Sequence, residues 1–391
     1  MAEKSNYHYT IIEQDSLPPQ PNGDVETGYQ YPRQNRRNCR KWKRFFAFGA
    51  ITYLMVTLFY HFAGHHCAHV INKSMKWKEY GKQWIPQGKL NKNIHGFSLD
   101  NINLFNVHNV LSNSDKCQAD IDVEDLPVYD FDPLSRTNIH VGVEGAIYAD
   151  VQVLPSEDKK ARFEVHAKAS DEDLASKIKL HKVEVDEGQV NFFLKGPKVH
   201  LGHQCATAKV TLYIPSSVTE LSHLSTGFAV GKFKLDEKLA KNIHFGNFHI
   251  GTVKGKLKLP KITSNTVVID SVIGDIDTKL VVSESVSLRS VKGKIEADIV
   301  LEHGDQESIT FDSVLGNVEA TISENFTGRF SAHSIGGNVD IKDDGQDGHL
   351  HFDKDYKHVK TGLHYQGHSF DKTKARLSVN TVRGNSNIVF V

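Results

Sequence analysis

The chain has 391 residues, with 47 Lys+Arg set against 47 Asp+Glu and 22 His besides. Zero formal charge excludes a generally basic nucleic-acid binder and a polyacidic tail protein, and 39% apolar residues lift the chain above the disordered range. Four Cys exclude a disulfide-dense miniature scaffold.

Residues 1–44 contain SLPPQPNGD, scattered Tyr and no apolar period, which predicts a disordered tail. Within it Tyr9 and Ile12 fit a Tyr-x-x-apolar sorting motif, whose two side chains would dock in adaptor pockets. Residues 45–63 then form one apolar run. From Phe45 to Phe62 it reads FFAFGAITYLMVTLFYHF, without a single Lys, Arg, Asp or Glu. About 20 residues at ~1.5 Å each cross a bilayer, so the run predicts a transmembrane signal anchor. Arg33, Arg36, Arg37, Arg40, Lys41, Lys43 and Arg44 crowd its N-terminal flank. The positive-inside rule therefore keeps the N-terminus cytosolic and exports the C-terminal part, giving a type II single-pass protein of the plasma membrane or the secretory and vacuolar pathway. Split there, the zero charge becomes +3 before the run and −3 after it, and 20 of the 22 His fall on the exported side.

Residues 64–134 are mixed in character and read as a juxtamembrane stalk or cap. From 135 to 219 the pattern turns to period two, as in IHVGVEGAIYADVQVL and AKVTLYIP, which predicts half-buried strands; DEDLASKI is the one short helix expected. Residues 220–391 carry a repeat. VVIDSVIGDIDTKL, VSLRSVKGKIEADI and ITFDSVLGNVEATI align column by column, and FHIGTVKGKLKL, FSAHSIGGNVDI and LSVNTVRGNSNIVF keep the register. The anchoring glycines are Gly255, Gly274, Gly293, Gly316, Gly337 and Gly384, with a weaker candidate at Gly231. Alternation slips by one residue before each glycine, which marks a tight corner, so each repeat supplies two short strands around a bend. One unit cannot bury its apolar face alone, and periods near 20 residues point to stacking as a β-solenoid or related coiled sheet. The 47-residue gap from Gly337 to Gly384 is about two periods and holds a polar insert. The fold class expected is thus an all-β ectodomain, β-helix-like repeats after a strand-rich domain, behind one transmembrane helix.

The copies SVIGDI, SVKGKI, SVLGNV, SIGGNV and TVRGNS resemble the adhesin-like repeat domain of bacterial and fungal surface proteins over roughly residues 220 to 391. A signal anchor ahead of such a domain is similar to fungal-type single-pass membrane proteins. The resemblance implies a β-helical fold and a surface or wall-facing role, and it supplies no catalytic residues.

Three residues after the repeat glycines stand Asp277, Glu296, Glu319 and Asp340, with Lys258 and Asn387 at the two ends. Stacked rungs would set the carboxylates in an outward file about 5 Å apart, which a solvated face, a basic partner or a cation such as calcium could accommodate. No cofactor is otherwise expected. The regular file lacks the singular pair of converging carboxylates that glycoside hydrolysis needs, and no nucleophile elbow, P-loop or zincin helix is present, so the reading is non-enzymatic. Neither His61, His65, His66, Cys67 and His69 nor His349, His351 and His358 has the spacing of a metal site. Of Cys67, Cys117 and Cys205, the preferred disulfide is Cys117 with Cys205, leaving Cys67 free or linking two chains. Asn72 and Asn325 head glycosylation sequons on the exported side. The function expected is a membrane-embedded protein whose ectodomain binds or scaffolds glycans or surface and wall proteins, its oligomeric state open. The alternatives are a carbohydrate-active enzyme of β-helical fold and a pH-responsive trafficking protein.

Overall fold

The period-two segments fold as bent rungs laid one against the next. In the computed structural model, which describes residues 117–185, 188–197, 204–323, 325–345, 348–366 and 374–391, twenty strands among those residues join in one sheet. Each repeat contributes a first limb before its glycine corner and a second limb after it. The first limbs 138–143, 220–228, 244–254, 263–273, 285–292 and 308–315 pair in parallel, as do the second limbs 276–282, 295–301 and 318–322. Register keeps like against like: Val267 pairs with Val286 and Val286 with Ile309, while Ile276 pairs with Ile295 and Ile295 with Val318. The inward side chains of the two limbs meet in one core, where Ile250, Val267, Val282, Leu288 and Phe311 are at most 1% exposed. Burying each stabilises by about 1.5–3 kcal/mol, an upper figure, and a one-residue slip would turn a whole limb's set to solvent.

The order of rungs departs from the order of residues. Sequential stacking would put 328–343 against 309–322. Instead Ala375–Arg383 lies between Ser308–Leu315 and Gly328–Ser334, and Ser386–Phe390 lies between Val318–Ile322 and Val339–Asp343. The polar insert is not a concealed repeat of the stack. It forms an antiparallel hairpin, Gly348–Tyr356 with Val359–Gln366, whose second strand pairs antiparallel with Gly328–Ser334 at the end of the first-limb sheet. The two-period gap is therefore a cap of different geometry, with His364 buried against Phe390 at 4.1 Å between ring centroids.

The parallel ladder also runs through the boundary expected at 219/220, because Asn138–Ser156 is a rung whose limbs pair with both limbs of Glu220–Leu235. Beyond it, Ala206–Pro215 extends the second-limb sheet and Gln189–Lys195 the first-limb sheet. Antiparallel strands Ala161–Ala169 and Lys179–Val185 close these flanks. The expected helix spans Glu172–Lys177, where the Asp171 side chain caps by accepting from the Leu174 amide at 2.9 Å. A second, Glu237–Asn242, begins at Asp236, which accepts from the Lys238 and Leu239 amides. Two acidic caps ahead of short apolar runs supply the helix starts.

Candidate binding faces

The corner is built from three residue types, each with its own reason. Gly274 sits so close beneath the preceding rung that a Cβ there would lie 1.9 Å from the Gly255 carbonyl oxygen, and its φ of +152° suits glycine alone. The same crowding recurs where Gly316 meets Gly293 and Gly384 meets Gly316. Inside the bend, hydroxyls satisfy the glycine carbonyls: Ser290 Oγ donates to the Gly274 oxygen at 3.3 Å and Ser334 Oγ to the Gly384 oxygen at 2.9 Å. After the bend, the Asp275, Asn317 and Asn385 side chains accept from the amides of Lys294, Asn385 and Asn338, all at 2.9 Å. At Ser290, Ser334, Asp275, Asn317 and Asn385 the corner thus bonds one rung to the next, whereas Ser313 Oγ donates to Gly316 of its own rung at 3.2 Å.

The carboxylates expected in a file are in one, with a change of order. Lys258, Asp277, Glu296, Glu319, Asn387 and Asp340 succeed one another in register. Asn387 separates Glu319 from Asp340 instead of standing at the end, because its rung is inserted there. The file is internally neutralised. Lys294 Nζ lies 3.0 Å from Glu296 and 2.7 Å from Glu319, Lys342 lies 3.2 Å from Asp340, and Lys258 lies 3.9 Å from Asp277. Lys279 pairs with Asp298 at 3.1 Å. Bonds from Glu319 and Glu296 hold the Lys294 ammonium protonated above its ordinary range. Because these groups are largely exposed, Lys294→Met is expected to cost only about 0.5–1 kcal/mol in a urea titration, and that cost should vanish in high salt. A loss that survives high salt would place the lysine's role in packing.

A second group lies on the outward face of the first limbs. Ser225 is flanked in register by His140 on one side and His249 on the other, with His223 two residues before it on the same strand. The next row is Gly142, Gly227 and Gly251, continued by Asp270. His249 Nδ1 is 3.4 Å from Ser225 Oγ, and its Nε2 is 3.8 Å from Asp270 Oδ2. Arg289 donates to both Asp270 oxygens, at 2.6 and 2.8 Å. Burial, reinforced by His223 and His249, lowers His140 to about 4; burial and His249 lower His223 to about 4. Burial alone would raise Asp270, but His249 and Arg289 hold it below its ordinary value. Ser225 is 5% exposed, and Asp270 faces His249 while bonded to Arg289, so the row sets a buried hydroxyl and three imidazoles beside an ion pair. Among the described residues, no three His, Cys, Asp or Glu converge in metal-binding geometry.

The sequence pattern of the Toastrack DUF4097 family matches residues 143–388, from the first rung to the last limb. The chain belongs to this family. Solved structures similar to the Toastrack domain include a candidate cell adhesion protein from Clostridium sporogenes, at 11% identity, covering 68% of this chain and 98% of that one with a TM-score of 0.27. Another is a candidate adhesin from Bacteroides fragilis, at 13% identity, 68% and 98% coverage and a TM-score of 0.31. A third, from Parabacteroides distasonis, has 10% identity, 68% and 97% coverage and a TM-score of 0.25. No curated protein matches the chain.

The expected disulfide joins Cys117, ahead of the family match, to Cys205 inside it across 88 residues, tying the segment before Ile121–Asp122 to the start of Ala206–Pro215. Asn325 is part-buried: its Nδ2 donates to the Leu301 carbonyl at 2.9 Å and its Oδ1 accepts from Ser323 at 2.6 Å. A glycan on that nitrogen would displace the bond to Leu301. Tyr9, Ile12, Asn72 and the apolar run at 45–63 lie outside the described residues, within which no helix is long and apolar enough to cross a membrane. Two elements escaped the sequence reading. Lys294 bridges acids on neighbouring rungs from the column just before the file, and the His140, His223 and His249 group becomes visible only once rung register gathers these distant residues around Ser225.

Proposed function

We propose that the Toastrack domain is a non-enzymatic binding and scaffolding module for glycans or proteins, carried outside the cytosol by a membrane anchor at 45–63. The observation that carries this is the outward face itself. Its side chains stand in straight files fixed by rung register, and the acids in them are matched by lysines of the same or the neighbouring rung. A rigid periodic surface suits recognition of an extended partner by many weak contacts, whereas hydrolysis calls for a pair of carboxylates in unlike environments. The Cys117–Cys205 bond supports an oxidising compartment. Capture of the purified full chain on an array of neutral and charged glycans and wall polymers tests the binding reading, and absence of capture at both neutral and acidic pH would refute it. Protease protection in sealed vesicles tests the topology; cleavage of the repeats from the cytosolic side would overturn it.

A second reading, a pH-responsive membrane trafficking protein, is favoured by the half-buried His140 and His223 beside His249. Replacing Tyr9 by Ala should then relocate the protein, and unchanged location would count against this reading.

A further inference from the structure

The file of charges changes sign part-way along the stack. Lys232 and Lys234 alternate with buried Phe233 and Leu235, so both ammonium groups leave by the outward face. Lys256 and Lys258 alternate in the same way with buried Leu257 and Leu259. The close contact of Gly255 with the Gly231 carbonyl sets these two pairs on adjacent rungs. Lys258 is the register neighbour of Asp277, so the lysines head the row that continues through Glu296 and Glu319. On the other side, Asp150 stands in register between Lys232 and Lys209.

The two ends of this face differ in how charge is balanced. Glu296, Glu319 and Asp340 each have a lysine within 3.2 Å. Lys209, Lys232, Lys234 and Lys256 are exposed and have no carboxylate at ion-pair distance among the described residues. Asp150, in register between Lys209 and Lys232, accepts from Gln152 at 3.0 Å. Strand geometry roots the lysines of adjacent rungs about 4.8 Å apart, and those along a strand about 6.8 Å apart, on a backbone that cannot spread. Like charges held at that spacing repel each other, and an anionic ligand would remove the repulsion.

We propose that the Lys232, Lys234, Lys256 and Lys258 array binds a thin anionic polysaccharide bearing carboxylate or sulfate groups, laid across the first two of the repeat rungs. The inference rests on the glycan-binding reading above and names its ligand class and its place. Width selects the class. Asp277, Glu296 and Glu319 stand on the same face, one to three rungs beyond Lys258. Those acids are already paired with lysines, so beyond Lys258 the face offers a flat anionic bilayer or a nucleic-acid duplex no further uncompensated cation. A single saccharide chain crosses the lysine rungs while staying about one Debye length, ~8–10 Å, from Glu296.

The test uses the full chain in detergent, with immobilised dextran sulfate and polygalacturonate as probes. Uncharged dextran, phosphatidylserine-containing vesicles and single-stranded DNA form the comparison arms, each over a salt titration. Retention on at least one anionic polysaccharide, falling steeply with salt, and none on dextran, is expected. A Lys232→Gln, Lys234→Gln, Lys256→Gln and Lys258→Gln variant should bind at least about tenfold more weakly, since each lost ammonium removes one counterion-releasing contact. The Glu296→Gln and Glu319→Gln variant should bind no more weakly than the parent. Should the fourfold variant fail to fold, Lys232→Gln and Lys256→Gln alone should each weaken binding about twofold or more and flatten the salt slope. Failure of the parent to bind either polysaccharide, unaltered binding by the lysine variants, or equal binding to vesicles or DNA would overturn the proposal. Capture of neutral glycans alone would remove this inference and leave the glycan-binding reading standing, while capture of no glycan would remove both.

Discussion

Gly274→Ala is expected to destabilise the repeat domain by at least about 3 kcal/mol, the upper end of what overpacking costs, seen as a shift of the whole denaturant transition. The added methyl would sit 1.9 Å from the Gly255 carbonyl oxygen and 2.7 Å from its carbonyl carbon. Both are main-chain atoms, so no rotamer change relieves the overlap. The neighbouring rungs must part, and there the Gly255 amide donates to Ile273 at 3.0 Å and the Gly274 amide to Lys292 at 2.9 Å. Gly251 is the internal control. It stands in the first-limb sheet with no atom within 4 Å of its Cβ position, so Gly251→Ala should change stability by no more than about 0.5–1 kcal/mol. Equal losses at the two positions would show that crowding at the corner is not the cause.

Acid is expected to weaken the domain through His140 and His223. Both hold folded-state values near 4 against an ordinary 6.5. A histidine so depressed binds fewer protons folded than unfolded. Its contribution is therefore complete above about pH 6.5 and is withdrawn as pH falls from 6.5 towards 4. Each could account for about 3 kcal/mol by pH 4, an order-of-magnitude upper figure because the two also repel each other once charged. His249, Asp270 and Arg289 face the pair; Asp270 stays bound to Arg289 and supplies little compensation. Urea midpoints at about pH 7 and about pH 4.5 should converge in a His140→Asn and His223→Asn variant relative to the parent, leaving only the carboxylate contribution common to both. An unchanged acid sensitivity in the variant would show that other groups carry it.

A repeat announces its columns and conceals its neighbours, and the legible parts of this fold divide along that line. Ser290, Val291, Gly293 and Ile295 recur as columns, so the corner, the inward face and the outward file were all legible from self-similarity. Register then delivered Asp277, Glu296 and Glu319 as neighbours. The position of 375–390 was not legible. Its columns match those of every other rung, and nothing in a column says which neighbour it will choose. The hairpin cap was hidden for the complementary reason, since GHLHFDKDYKH shares no column with the repeats. His140, His223 and His249 are unremarkable as sequence because their grouping depends on Asn138–Ser156, a rung that lacks the SVxG signature. The disulfide needed only three exported cysteines and the proposed topology to be favoured.

The displaced rung has a consequence for the timing of assembly. Synthesis releases 308–322 before 328–343, and 328–343 before 375–390, yet 328–343 rests on 375–390. Earlier rungs can each settle on a finished predecessor as the chain emerges. Residues 328–343 have no finished surface to settle on until residues 344–390, hairpin included, have appeared. Ile309 and Phe330 share the partner Leu377, and Phe311 and Ala332 share Val379, so before 375–390 appears the two strands would be able to pair with each other in that register. Insertion of 375–390 between them makes closure of the stack a non-local step, the kind that slows folding and exposes unpaired strand edges. Pulsed hydrogen exchange during refolding should therefore show the rungs up to 322 protecting their amides before those of 328–343 and 375–390 do so together.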